Sequence, residues 1–198
     1  IVVGNNNSKI HLYNLEGKSI KKTATLQTYY THVEKLELIA DENRLVSYSV
    51  NKKNAKGKMQ YWDVKREREK ESFSIYHFTD FVVNAEKERV VITNSKGEVK
   101  ITDLDGDTKR DFESDEDGIS GASISEDGSR IMLVSSDGKL YVHSGNSGRS
   151  KWDYRKHSVP QKTGSKGKKS QYKIANVDDY IVTVGPNSEM FVYSLKEK

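Results

Sequence analysis

The stretch Ile124-Ser-Glu-Asp-Gly-Ser-Arg-Ile-Met-Leu-Val-Ser-Ser-Asp-Gly-Lys-Leu-Tyr-Val142 decides the fold. It holds two short apolar runs, Arg130-Ile-Met-Leu-Val134 and Lys139-Leu-Tyr-Val142, each entered through a Ser-x-Asp-Gly tetrapeptide. Apolar runs of this length, bounded by Asp and Gly, predict strands rather than helices. Asp bonds its own backbone in a tight turn, and Gly accepts the positive φ such turns demand. Two strands joined so closely form a hairpin.

The same pattern recurs along the chain. Segments that alternate apolar and polar residues and end in a small polar residue are Lys9-Ile-His-Leu-Tyr-Asn-Leu15, Lys58-Met-Gln-Tyr-Trp-Asp-Val64, Glu98-Val-Lys-Ile-Thr-Asp-Leu104, Lys139-Leu-Tyr-Val-His-Ser144 and Glu189-Met-Phe-Val-Tyr-Ser-Leu195. Their end points, Asn14, Asp63, Asp103, Ser144 and Ser194, lie about 40 to 50 residues apart, the period of propeller blades. A more apolar strand precedes each, as in Arg44-Leu-Val-Ser-Tyr-Ser-Val50 and Tyr180-Ile-Val-Thr-Val184. Weaker strands complete the repeat on either side: residues 33–39, 78–85, 119–125 and 173–177 before the apolar strand, and 19–27, 71–75, 108–112 and 149–154 at the end. Four antiparallel strands per repeat make a propeller blade. The expected fold is therefore all-β, a β-propeller of about four and a half to five four-stranded antiparallel blades. The blades span 1–27, 33–75, 78–114, 119–155 and 172–198, with polar insertions at 51–57 and 158–170. The first repeat starts at its second strand and the last ends after its third, so the blades are expected to be part of a larger propeller. The charged run Lys65-Arg-Glu-Arg-Glu-Lys-Glu71 is expected to be a solvated turn between the third and fourth strands of its repeat.

Composition agrees with strands that bury one face at a time. Hydrophobic residues make up 34% of the 198, charged residues 31%, with 11 tyrosines and 2 prolines. The net charge of +4 comes from 33 basic and 29 acidic residues, so both signs are interspersed and no global field singles out nucleic acid as partner. The absence of cysteine rules out a disulfide framework, a thiolate nucleophile and Cys-ligated metals, and suits a reducing, intracellular setting. No apolar run approaches the ~18 residues of a membrane-spanning helix.

The stretch from Ile124 to Val142 resembles the core of a WD repeat, and Tyr61-Trp62-Asp63 resembles the Trp-Asp pair that names that family. The Gly-His pair usual at the start of such repeats is absent. Gly148-Arg-Ser-Lys-Trp152, following Asp137-Gly-Lys-Leu-Tyr141, is similar to the repeat of quinoprotein-like propellers, so both propeller families stay open. The first resemblance implies rings of about six to eight blades that serve as rigid platforms. The second implies cofactor-binding enzymes, whose vicinal cysteines this chain lacks, or a non-catalytic ligand sensor or assembly factor.

Candidate chemistry is thin. His11, His32, His77, His143 and His157 share no short metal-ligand spacing and read as structural or surface residues. Asp103-Leu-Asp-Gly-Asp107 alternates carboxylates about a glycine. A calcium loop would need Glu at its twelfth position, which is Ser114, so a turn is expected. Asp111, Glu113, Asp115, Glu116 and Asp117 form an acidic cluster expected to be solvated rather than a general acid–base pair. No nucleophile elbow, phosphate loop or dinucleotide glycine signature occurs. Lys162-Thr-Gly-Ser-Lys-Gly-Lys-Lys-Ser-Gln-Tyr-Lys173 carries five lysines and no acid; it reads as a polar insertion, with RNA phosphates as an alternative partner. The sequence thus points to no enzyme, no metal and no cofactor. The expected function is a non-catalytic scaffold for other protein subunits, with Lys56, Lys58, Lys166, Lys168 and Lys169 on its partner-binding surface.

Overall fold

A computed structural model describes residues 1–39, 43–54, 56–114, 118–155, 172–177, 179–186 and 188–195. Among these residues the chain is strand and turn throughout, and no helix is long and apolar enough to cross a membrane. It divides into two compact units, Ile1–His77 with Asp103–Asp107, and Phe78–Thr102 with Thr108–Lys198.

In the first unit, β1 (Val2–Gly4), β2 (Lys9–Glu16) and β3 (Ser19–Gln27) form one antiparallel sheet. A second is built from β4 (His32–Ile39), β5 (Arg44–Asn51), β6 (Lys56–Asp63) and β7 (Arg68–Tyr76). Ile10, Leu12 and Leu26 of the first sheet pack against Leu45 and Trp62 of the second. At about 1.5–3 kcal/mol for each large apolar side chain removed from water, this contact is what joins the two sheets. The run Leu45–Val50 is buried at every position, so alternation is lost because both faces of β5 are covered.

The second unit stacks three sheets. They are β8 (Phe78–Asn84) to β11 (Thr108–Glu113), β12 (Ile119–Ile124) to β15 (Ser150–Arg155), and β16 (Lys173–Val177) to β18 (Met190–Ser194). Between them run β9 (Arg89–Asn94), β10 (Glu98–Thr102), β13 (Arg130–Ser135), β14 (Lys139–Ser144) and β17 (Tyr180–Val184). One face of the middle sheet presents Ile119, Ala122, Ile131, Leu133 and Tyr141 to Val91, Val99 and Ile101. Its other face presents Met132, Leu140 and Val142 to Ile181 and Tyr193. Every sheet is a meander of consecutive strands, each pair antiparallel.

The two Ser-x-Asp-Gly turns have one construction. Ser125 Oγ donates to Asp127 Oδ1 (2.6 Å), the Ser129 amide reaches the same oxygen (2.9 Å), and Gly128 N–H closes on Ser125 O (2.9 Å). Ser135 and Asp137 repeat the pairing, with Gly138 N–H on Ser135 O (3.0 Å). Gly128 and Gly138 have φ of 68° and 80°, the left-handed conformation that a side chain would strain.

Two expectations are corrected. The polar stretch 51–57 is not a loop insertion: β5 and β6 pair as far as Asn51 opposite Lys56, leaving a short turn between them. The charged run 65–71 is a turn only to Glu67; from Arg68 it continues as β7, an edge strand whose water-facing side accepts charges that a central strand would not.

Candidate functional site

The chemistry-bearing residues gather at the β5–β6 turn. Because β4 and β5 are antiparallel, the connection from β3 into β4 reaches the end of the sheet at which β5 turns into β6. Two hydrogen bonds pin this connection: Tyr29 N–H donates to Gln60 Oε1 (3.0 Å) and Tyr30 N–H to Ser49 Oγ (3.4 Å). Gln60 and Ser49 are buried, and Gln60 Nε2 donates to Glu69. In the same sheet Trp62 Nε1 donates to buried Ser47 Oγ at 2.9 Å. A buried amide left unsatisfied would cost about 1–3 kcal/mol, so this polar ladder holds the connection in one place.

On that support stands an exposed aromatic. Tyr29 is 64% exposed, Tyr30 meets it edge-on with centroids 4.9 Å apart, and Lys58 Nζ lies 4.4 Å from its ring centre. Lys56 sits two residues before Lys58 on β6, directly opposite Tyr76 of β7, which is also exposed. In a strand, residues two apart share a face, so Lys56, Lys58, Ser74 and Tyr76 lie on one side of the sheet. Lys52 and Lys53 are exposed on the turn. On the opposite face Tyr48 lies over Gly57, where a Cβ would come within 2.1 Å of the phenol oxygen. Burial first, then the nearby Glu34 and Tyr30, push the Tyr48 hydroxyl up to about 12, so it stays neutral beneath the lysines.

Of the five lysines expected to meet a partner, Lys56 and Lys58 stand together here. Lys166, Lys168 and Lys169 lie outside the described residues. The aromatic half of the patch was not anticipated. Its signal was present in Thr28-Tyr-Tyr-Thr31, between two strands, where two adjacent tyrosines cannot both face a core.

The other candidates resolve as structure. Asp103 Oδ1 accepts the amides of Asp105 (3.0 Å) and Asp107 (2.9 Å), so the alternating carboxylates make a turn. Burial raises the Asp105 carboxyl, but hydrogen bonds and charge from Lys70 and Arg44 outweigh it and hold it below the usual range. His143 is buried, with Nδ1 3.1 Å from Gly148 O and its ring against Phe112. His11 pairs with Thr25 and His32 with Thr31. His77, at positive φ, separates β7 from β8, and His157 lies outside the described residues. Asp111 of the acidic cluster pairs with Lys100 at 3.0 Å, while Asp115, Glu116 and Asp117 are outside the described residues. Among the described residues no three His, Asp or Glu side chains are placed to share a metal ion.

No family model matches the chain, and no curated protein matches it. Among solved structures, the crystal structure of the computationally designed Ika8 protein superposes on 98% of this chain with a TM-score of 0.76 at 15% identity. The match covers 54% of that protein, so this chain spans about half its length. At such low identity the likeness is one of fold alone: all-β, in consecutive antiparallel sheets.

Proposed function

We propose that this chain is a run of blades of a WD-like β-propeller and acts as a non-catalytic platform for other proteins, with the Tyr29–Lys56–Lys58 patch as its contact surface. The observation that carries it is Tyr29: a mostly exposed ring, flanked by Tyr30 and Lys58, on a connection tied down by buried Gln60 and Ser49. Rigid, exposed tyrosines beside a cation are the commonest makings of an interface hot spot, because little side-chain freedom remains to be lost on binding. The propeller reading draws support from the stacked four-stranded meanders and from β5, β9 and β13, each buried on both faces. The sheet β16–β18 supports it differently. Its face away from Met132 carries Val177, Tyr180, Val184, Met190 and Val192, all exposed, an apolar surface of the kind a further blade would cover.

The test is to purify the full-length protein with its bound proteins, beside a Tyr29→Ala/Lys58→Glu variant, and quantify both sets by mass spectrometry. A reproducible partner lost from the variant, with its melting temperature unchanged, supports the platform. The same partners in the same amounts would overturn it.

A further inference from the structure

We infer that the patch recognises an extended, acidic segment of a partner protein, with carboxylates on Lys56 and Lys58 and an apolar side chain on Tyr29; this rests on the platform reading above. The turn and the start of β6, Asn51-Lys-Lys-Asn-Ala-Lys-Gly-Lys58, contain four lysines and no acid. Lys52, Lys53 and Lys56 are exposed, and Lys58 is half-buried against Tyr29. Among the described residues none of these four lysines forms a salt bridge. Glu69 accepts from Gln60, and Glu34 lies toward Tyr48. With four lysines against Glu34 and Glu69 the patch keeps a surplus of positive charge, and complementary charge on a partner both steers encounter and fixes register.

Geometry favours an extended peptide. Lys56 and Lys58 project from one face of a strand about 6.5–7 Å apart, the spacing of alternate side chains in another extended chain. Carboxylates at positions i and i+2 of such a segment would meet both ammonium groups, while the side chains at i−2 or i+4, on the same face, reach Tyr29 or Tyr76. Single-stranded nucleic acid fits less well. Successive bases need aromatic faces lying parallel, but Tyr29 and Tyr30 are inclined at 86°, and Lys58 covers part of Tyr29.

Fluorescence anisotropy of the full chain tests this with three labelled probes: a peptide carrying Phe, Glu, Glu and Phe at alternate positions with Thr between them, the same peptide with Lys in place of Glu, and an oligothymidylate. The acidic peptide should bind, more weakly as salt rises. Lys56→Glu/Lys58→Glu should weaken it by at least about tenfold with the melting temperature unchanged. Lys166→Glu/Lys168→Glu/Lys169→Glu should leave it bound. Equal binding by the Lys56→Glu/Lys58→Glu variant, no binding at all, or preference for the oligothymidylate would overturn the inference. The two readings fail separately. If the acidic peptide does not bind but Tyr29→Ala/Lys58→Glu still sheds protein partners, the platform stands and its partner is not acidic.

Discussion

Asn84 is the position at which one atom decides the most. It ends β8, is 8% exposed, and donates both amide protons across to the turn after β12: to Ser125 O and to Glu126 O, each at 2.8 Å. Its own oxygen accepts Lys87 N–H at 3.0 Å. Asn84→Asp keeps the shape and the last bond but replaces the two-proton donor with an acceptor facing two carbonyl oxygens. Glu126 O is left without a donor, at about 1–3 kcal/mol, while Ser125 O keeps Gly128 N–H and suffers only the repulsion of the new oxygen, so a loss of about 2–4 kcal/mol is expected at neutral pH. For a chain of this size that is a fall in melting temperature of about 2–4 °C for each kcal/mol, or some 4–16 °C in all. In the fold the repulsion of the ionised carboxyl by Ser125 O and Glu126 O outweighs the one N–H it keeps from Lys87, so its folded pKa rises above the unfolded value of about 3.9. The penalty is therefore full above the folded pKa and shrinks as pH falls through it, because the neutral acid can donate one bond. Thermal melts of wild type and Asn84→Asp, followed by circular dichroism between pH 7 and pH 4, read this directly. A variant within about 0.5 kcal/mol of wild type, or a gap that widens on acidification, would refute the reasoning.

Gly145→Ala should destabilise by about 2–4 kcal/mol in denaturant titration, since its Cβ would lie 2.0 Å from the Gly128 carbonyl oxygen and dislodge the Gly145 N–H to Ser129 O bond. Gly17→Ala, at φ +61° but with nothing within 4 Å, should cost only the left-handed strain of about 1 kcal/mol, so equal losses would contradict the packing explanation. Asp127, drawn down to about 2 by the Ser125 hydroxyl and then the Ser129 amide and hydroxyl, stabilises the fold above the unfolded carboxylate pKa, and that contribution is lost as pH falls toward 2. Because Asp127 is exposed the effect is small, and NMR titration of its carboxyl carbon checks the direction: a midpoint at or above the usual Asp value would exclude the turn geometry described.

The strands and hairpin turns were legible because short-range chemistry writes them. Ser125-Glu-Asp-Gly128 and Ser135-Ser-Asp-Gly138 name their turns by a hydroxyl, a carboxylate and a glycine, and the structure uses all three. The stretches at 51–57 and 65–71 depart from expectation for a common reason. Polarity alone predicts a loop, whereas a hairpin end and an edge strand are solvated and can be polar while still pairing with their neighbours, as β7 does around the bulge opposite Tyr61 and Trp62. Half of the candidate site was legible, through Lys56 and Lys58. Tyr29 was missed because its role depends on residues far along the chain. Gln60 and Ser49 fix its backbone neighbourhood from 31 and 20 positions away, and no local pattern announces such a pairing.

Meander sheets place their central side chains in cores and leave chemistry to the connections. Here the core strands β5, β9 and β13 carry buried Ser47, Ser49, Thr93 and Ser135 among their apolar residues. Those hydroxyls are spent on Trp62, Gln60, Thr79 and Asp137, holding neighbouring strands and turns rather than facing a cleft. A hydroxyl already committed to a neighbour is poorly placed to act on a ligand, and a carboxylate committed to a turn, as at Asp103 or Asp127, is equally occupied. Tyr29 with its lysines is both exposed and held in place by such bonds. On the proposed platform reading, the features that make the sheets rigid leave recognition to the β5–β6 turn, where the ladder ends and side chains can meet a partner without breaking it.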